Sequence, residues 1–261
     1  MADDSKLWLA LFTAGLALAG TVFTAIMSVL GHRELAHLNA RLQAERDDRL
    51  ARVEVEKVIA RFRDPLMLAA YDLQSRIYNI LQQDFLGRYY VNGTEIEKEY
   101  AIENTVFLLA QFLAWTELLR QEVQFLDLGS DDRTRKLRDL QDQIYSQLQT
   151  DTIPSGFRLF AGEQRAIGEL MVDRTGTTAR CLGFAAFLEN RHRRLDAWLG
   201  PLRNDIRRMS IDLGSYRDRL IPIQHSLIAM LEFFDPQFVR FPAKTRTTIP
   251  HPRGVGGGTY S

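Results

Sequence analysis

The chain has 261 residues, of which 46% are apolar and 25% are charged, and this is the composition of a folded globular protein. The 33 basic residues balance the 33 acidic residues, so no overall electrostatic field favours nucleic acid or another polyanion. Cys181 is the single cysteine, which excludes an intramolecular disulfide and agrees with a reducing compartment.

An uncharged run of 24 residues, positions 7–30, follows the first six residues. As a helix it would be about 36 Å long, enough to cross a hydrocarbon core of about 30 Å with some tilt. A cleaved signal peptide is the alternative. However, the residues before the run are not net basic, and the run continues well past the small residues at 17–19. We therefore predict a retained transmembrane anchor over residues 1–31.

Basic residues on either side of this run predict its orientation. Arg33, Arg41, Arg46 and Arg49 follow the run, whereas Lys6 alone precedes it. Because positively charged flanks stay in the cytoplasm, we expect the N-terminus outside the cell membrane and the C-terminal body in the cytoplasm.

Small residues recur at four-residue spacing within the predicted span, where Gly15 is followed by Ala19 and Gly20 by Thr24. This spacing lets two membrane helices approach closely, and small residues are also common in membrane helices generally. Self-association through this face is therefore a hypothesis, and it would suit an oligomerising membrane effector.

Downstream of the span, apolar residues follow a helical period. Residues 32–63 are polar with leucines at helical spacing, which predicts a stalk, and Asp64 before Pro65 predicts a helix start. Asp72 and Arg76 are then spaced as an i,i+4 pair on the polar face of that helix. Residues 105–119 are apolar nearly all round, but they are too few for a span, so they predict a central core helix.

The predicted architecture is all-α, with a single N-terminal transmembrane helix followed by a helical stalk and a cytoplasmic antiparallel helical bundle over residues 64–240. Residues 241–261 contain several Gly and Pro residues and are mildly basic. They have little to bury, so we predict a disordered tail.

Residues 162–169, GEQRAIGE, are the first place where we expect a pocket. Two carboxylates and a guanidinium within eight residues suit an anion site or general-acid chemistry. The simpler interpretation is an amphipathic helix with Arg165 and Glu169 paired at i,i+4. The candidate pocket residues are Arg158, Glu163, Arg165 and Glu169.

Basic residues on the predicted helices near residues 190–208 are candidates for contact with anionic lipid headgroups, at about 1 kcal/mol per residue near the surface. A solvated helix face is the simpler interpretation. The candidates are Arg191, Arg193, Arg194, Arg207 and Arg208. No interleaved aromatics or base-reading motif accompany them, so no nucleic-acid partner is expected.

Two Glu-x-x-His pairs, Glu34–His37 and Glu189–His192, have the spacing of a helical metal site. Apolar residues surround neither pair, as they would surround buried ligands, so the sequence predicts no metal site and no cofactor. The chain also lacks a P-loop and a Cys-x-x-Cys pair.

The sequence therefore predicts a single-pass, non-enzymatic interaction or scaffolding module at the cytoplasmic membrane face. Its expected partners are the lipid bilayer and either a second protein or another copy of itself. An enzyme with a helical active site around Glu163, Arg165 and Glu169 is the alternative.

Overall fold

The computed structural model describes residues 2–124, 132–153, 156–176, 179–190 and 194–250. Most side chains of residues 2–37, and those of residues 51, 55, 58, 123, 124 and 132–134, lie outside this description. The chain divides into two compact units, Met1–Val53 and Glu54–Ser261.

The described chain is predominantly helical, which confirms the all-α prediction. The helices are α1 (Ala2–Gln82), α2 (Glu95–Gln124), α3 (Asp132–Gln149), α4 (Ala161–Leu170), α5 (Phe184–Asn190), α6 (Asp196–Met209) and α7 (Gly214–Phe234). A π-helical turn, Gly87–Val91, separates α1 from α2, and a 3₁₀ turn occupies Ala243–Thr245. The two-residue strands β1 (Val172–Asp173) and β2 (Arg180–Cys181) pair antiparallel, with Val172 opposite Cys181.

The first unit consists of the N-terminal part of α1. Most side chains of the predicted span, residues 7–30, lie outside the described part of the chain; this includes Gly15, Ala19 and Thr24, whereas Gly20 is exposed. Among the described residues, no helix is both long enough and apolar enough to cross a bilayer.

The predicted helix start at Asp64 is wrong, because α1 continues through Pro65 to Gln82. Pro65 has no backbone N–H and so removes one hydrogen bond from the helix. On both sides of it, however, apolar side chains such as Phe62, Leu66 and Leu73 are buried. Tertiary packing of an apolar face contributes most of the stability of a protein helix, so it outweighs the single lost hydrogen bond.

The second unit, Glu54–Ser261, has α2 in its hydrophobic core. Most residues between 105 and 119 are buried, which confirms the predicted central helix. α4 crosses α2 so closely that a Cβ added at Gly168 would lie 2.8 Å from the carbonyl oxygen of Leu113. α6 is joined to α2 by a buried ion pair in which Arg203 Nε lies 2.8 Å from Glu103 Oε1.

Arg219 on α7 is fully buried and holds the connection between α3 and α4. Its guanidinium donates hydrogen bonds to five backbone carbonyls, those of Gln147, Leu148, Thr150, Ile153 and Gly156. The last carbonyls of a helix have no partner within the helix and carry partial negative charge, so a guanidinium at the end of α3 satisfies them.

The prediction of a disordered tail is wrong for residues 241–250, and residues 251–261 lie outside the described chain. The Phe241 ring stacks on Tyr71 of α1 with ring centroids 4.0 Å apart, and Ile249 is buried. Gln74 of α1 and Gln224 of α7 donate side-chain hydrogen bonds to backbone carbonyls of this segment, at 3.0 and 2.9 Å.

Glutamine amides explain why this irregular segment is ordered. Buried backbone groups need hydrogen-bond partners, and a segment without helix or strand must obtain them from side chains. Gln224 also accepts a hydrogen bond from the Ile249 N–H at 3.3 Å. Composition does not show these partners, because they belong to other elements: Gln74 to α1 and Gln224 to α7.

Asp235 follows the last residue of α7 and organises the turn after it. Its carboxylate accepts hydrogen bonds from the backbone N–H groups of Val239, Arg240 and Phe241 and pairs with the buried Arg246. Burial by itself raises the pKa of Asp235, but the amide hydrogen bonds and Arg246 together hold that pKa below its usual range.

Two glycines of α4 should respond in opposite ways to substitution by alanine. Gly168→Ala forces a Cβ against the backbone of α2 and should destabilise the fold by about 1 to 3 kcal/mol. At Gly162 an added Cβ meets nothing within 4 Å, so Gly162→Ala should be neutral or stabilise by up to about 1 kcal/mol. Thermal unfolding of both variants measures this, and a Tm change of the same sign in both would contradict the packing.

The Asp235 carboxylate should make stability depend on pH. A carboxyl group with a lowered pKa in the folded state stabilises the fold above the unfolded pKa of about 3.9, and this contribution is lost as pH falls through the folded pKa. Asp235→Asn should therefore lower Tm at pH 7, and its difference from the wild type should shrink below about pH 4. Asp139→Asn, at an exposed position of α3, is the control. A Tm difference that stays constant down to pH 3 would show that the charge is not involved.

Candidate functional site

The four predicted pocket residues lie in α4 and just before it. The Arg158 guanidinium lies 4.8 Å from the centroid of the Phe160 ring, and Glu163 accepts the Phe160 backbone N–H at 2.7 Å. Glu163 therefore serves the N-terminus of α4, where such a carboxylate satisfies an otherwise unpaired amide. Arg165 and Glu169 are exposed on α4. A convergent active site at this segment stays a prediction.

Glu169 does border a cavity of about 560 Å³, together with Asp173, Arg174 and Arg194. The Asp173 carboxylate accepts hydrogen bonds from the backbone and hydroxyl of Thr175, which lower the pKa of Asp173. Arg174 donates to a glutamine of α2. Two charged groups of this cavity, Asp173 and Arg174, are therefore already engaged in hydrogen bonds within the protein.

The predicted lipid-facing arginines are only partly described. Arg191 and Arg193 lie outside the described residues, and Arg194 borders the cavity next to Glu169. Arg207 and Arg208 are exposed in the last turn of α6, and Arg207 donates to Asn204 at 3.0 Å. Contact of these two residues with lipid stays a prediction.

A second cavity, of about 480 Å³, lies where the end of α1, the π-helical turn and the start of α2 meet. We name it the Arg76 cavity. Its lining includes Arg76, Phe85, Arg88, Tyr89, Glu97 and Tyr100. Cavities of a few hundred Å³ with aromatic walls and a few polar groups are typical small-ligand sites.

Two unusual backbone features shape this cavity. Asp84 has φ of 51°, in the left-handed region that residues other than glycine rarely adopt. At Gly87 an added Cβ would meet the Asp84 carboxylate, which would have to turn away. The π-helical turn Gly87–Val91 follows, and it carries Arg88 and Tyr89 to the cavity. Single π-helical turns are rare and recur at functional sites.

Arg76 is the deepest charged group of the cavity, because its residue is only 8% exposed. Its guanidinium donates to Thr105 Oγ1 at 3.1 Å and to Asn104 Oδ1 at 2.7 Å, both on α2. It also lies 4.0 Å from the centroid of the Phe85 ring. Burial lowers the pKa of Arg76, and interactions with Tyr100 and Asp72 partly offset this effect.

These contacts extend the predicted role of Arg76. It attracts Asp72, as the i,i+4 spacing predicts, but its residue is buried and its hydrogen-bond acceptors belong to α2. Within the described part of the chain it makes no ion pair, and Asp72 acts on it only as a Coulomb interaction. Burial raises the pKa of Asp72, and the charge of Arg76 counteracts that effect.

The other charged groups of the cavity differ in how they are engaged. Arg88 is exposed at the cavity wall. Glu97 accepts hydrogen bonds from Thr94 N at 2.8 Å and Thr94 Oγ1 at 2.9 Å, which lower the pKa of Glu97. This is a capping arrangement at the start of α2, so the carboxylate is held by the helix end. The cavity therefore presents two guanidinium groups against one occupied carboxylate, an arrangement that favours an anion.

Large apolar and aromatic side chains are exposed around the cavity. Tyr89 is 42% exposed, Ile96 81% and Tyr100 46%, and all three line it. We name these three residues the Tyr89 face. Clustered exposed side chains of this kind mark binding surfaces more often than isolated ones do.

The amino-acid sequence did not predict this site. A local signal was present, since Arg76 lies between apolar residues of one helix and is followed by the aromatic segment around Tyr89. The acceptors on Asn104 and Thr105, however, are 28 and 29 residues further along the chain. Sequence spacing cannot show that they meet Arg76.

No metal site is evident among the described residues, in which no three His, Cys, Asp or Glu side chains are grouped to hold an ion. The side chains of Glu34 and His37, and the whole of His192, lie outside that part of the chain. Burial raises the pKa of the Cys181 thiol to about 12, so the thiol is protonated and a weak nucleophile at neutral pH.

Comparisons with known proteins assign no family. No protein-family model, no curated protein and no solved structure matches the chain.

Proposed function

We propose that this chain is a membrane-anchored, non-enzymatic interaction module whose helical body lies at the cytoplasmic face of the cell membrane. The Tyr89 face beside the Arg76 cavity is the observation that carries the interaction part of the proposal. The uncharged run at residues 7–30 carries the tether.

The tether is supported by both the composition and the backbone of that run. Its 24 uncharged residues exceed the roughly 20 that a helix needs to cross a bilayer. They lie within the continuous helix α1. A helix satisfies its own backbone hydrogen bonds, which is the condition for spanning lipid.

The cytoplasmic orientation is supported by the arginines that follow the run, at positions 33, 41, 46 and 49. Such a tether would confine the body near the inner leaflet. Confinement raises its effective concentration towards other membrane components without any new contact.

The non-enzymatic part is supported by how buried charged groups are used. Glu103 pairs with Arg203, and Asp235 pairs with Arg246. Glu117 accepts hydrogen bonds from Arg120 at 2.8 and 2.6 Å. A general acid or base must reach its substrate, whereas these carboxylates are occupied by partners that join or stabilise helices.

The interaction part is supported by the exposure of the Tyr89 face. Aromatic residues are enriched at protein interfaces, because they bury a large area while keeping a polar group for hydrogen bonding. Tyr89 and Tyr100 have this character, and Ile96 adds exposed apolar area between them in the sequence. The proposed partner is a second protein at the membrane.

Cysteine labelling in intact cells tests the tether and its orientation. A membrane-impermeant maleimide should label Ser5→Cys in intact cells and label Ser146→Cys, at an exposed position of α3, only after lysis. The unmodified chain is the control, because Cys181 has a thiol pKa of about 12 and should react slowly. The opposite labelling pattern would reverse the orientation, and recovery of the full-length chain in the aqueous fraction would refute the tether.

Photo-crosslinking tests the Tyr89 face. A benzophenone amino acid in place of Ile96 should give a discrete crosslinked product in cells, because that side chain is 81% exposed within the face. The same amino acid in place of Arg138, exposed on α3, should give none. A product of twice the chain mass would show self-association instead of a second protein. Equal crosslinking at both positions, or none at Ile96, would contradict the proposed surface.

A further inference from the structure

We infer that the Arg76 cavity binds a carboxylate that is attached to a planar apolar group. This goes beyond the proposed interaction module, because it assigns a ligand class to a specific cavity of the body. It does not depend on the tether, and it can fail while the membrane topology holds.

The charge balance of Arg76 is the first reason. A buried guanidinium is usually compensated by a carboxylate, since desolvation costs several kcal/mol per ion. Arg203 and Arg246 follow this rule, with Glu103 and Asp235 as partners. Arg219 is the exception, because its acceptors are backbone carbonyls at a helix end. Arg76 donates to the neutral side chains of Asn104 and Thr105, and among the described residues its interaction with Asp72 is a Coulomb attraction without an ion pair. Unlike Arg219, it borders an open cavity.

The number of available donors is the second reason. A guanidinium has five N–H groups, and a planar carboxylate matches two of them at once. The hydrogen bonds to Asn104 and Thr105 use two, and Tyr100 provides a further favourable interaction. The remaining N–H groups can therefore donate hydrogen bonds to one carboxylate bound in the cavity.

The size of the charge favours a monoanion. Arg76 and Arg88 contribute two positive charges, and Glu97 at the same cavity contributes one negative charge. Among the lining residues the excess is a single positive charge, and Asp72, which attracts Arg76 from outside the lining, reduces it further. A monoanion therefore matches this cavity better than a phosphate dianion does. Arg88 is exposed and lines the cavity, so its guanidinium is available to the ligand.

The walls select the apolar part of the ligand. The Phe85 ring lies 4.0 Å from the Arg76 guanidinium, and the Tyr89 ring centroid is 5.1 Å from that of Phe85. Tyr100 lines the cavity as well, with its ring centroid 5.7 Å from the guanidinium. An anion bound at Arg76 would therefore place its attached group among aromatic rings, which prefer offset or edge contacts with another planar group.

The binding test uses the full-length chain in lipid nanodiscs and isothermal titration calorimetry. The probe is 3-phenylpropionate, and its matched control is the uncharged 3-phenylpropanamide. We expect saturable binding of the acid, with the amide and inorganic phosphate each at least about tenfold weaker, because one charge-assisted hydrogen bond is worth roughly that factor. An N-acetylated Ala-Ala-Phe peptide with a free C-terminus distinguishes the source: tighter binding of the peptide would identify a protein terminus, and tighter binding of the free acid would identify a small molecule.

Variants connect binding to the cavity. Arg88→Gln should weaken binding of 3-phenylpropionate by about tenfold, and Arg138→Gln should leave it unchanged, since both arginines are exposed but only Arg88 lines the cavity. Arg76→Gln should abolish binding, but it can also impair folding, so Arg88→Gln decides the matter. Tyr89→Ala adds a second exposed position that should weaken binding of the phenyl group.

Three results would overturn the inference. These are the absence of saturable binding for both carboxylates, equal affinity for the acid and the amide, and an affinity that Arg88→Gln leaves unchanged. None of them affects cysteine labelling or crosslinking, so failure of the ligand assignment is distinguishable from failure of the proposed function.

Discussion

Burial of guanidinium groups is the constraint on which the helical body depends. Within the described chain, four arginine residues are at most 8% exposed: Arg76, Arg203, Arg219 and Arg246. Leaving such a group without partners would cost several kcal/mol, so each must meet acceptors from elsewhere in the chain. Arg203 thereby ties α6 to α2, Arg219 ties the α3–α4 connection to α7, and Arg246 ties the C-terminal segment to the end of α7.

The same constraint distinguishes the candidate site from the rest of the body. Carboxylates neutralise Arg203 and Arg246, whereas backbone carbonyls at a helix end surround Arg219. Arg76 has neutral acceptors on α2 and a cavity beside it. A structural role therefore explains the burial of Arg203, Arg219 and Arg246. It explains the burial of Arg76 only in part. The π-helical turn and the left-handed Asp84 add local geometry that a plain helix connection would not require.

Much of the fold could be predicted from local patterns, and the errors have a common cause. The apolar period correctly indicated helices and the buried centre of α2, because burial of one helix face is repeated along the chain. The helix start at Asp64 and the disorder of residues 241–250 were wrong. In both cases contacts with distant elements outweighed the local signal: apolar packing around Pro65, and side-chain hydrogen bonds from Gln74 and Gln224.

The sequence by itself determined the helical class, the long uncharged N-terminal run and the absence of common catalytic motifs, because these depend on composition and on spacing along one segment. Only the tertiary structure decided which charged residues are buried and which side chains share a cavity. Residues 158–169 were the expected site, yet Glu163 is engaged at its own helix end. Arg76 came to lie between Phe85, Asn104 and Thr105 instead, because hydrogen-bond partners of a buried charge are set by the packing of helices and not by their order in the chain.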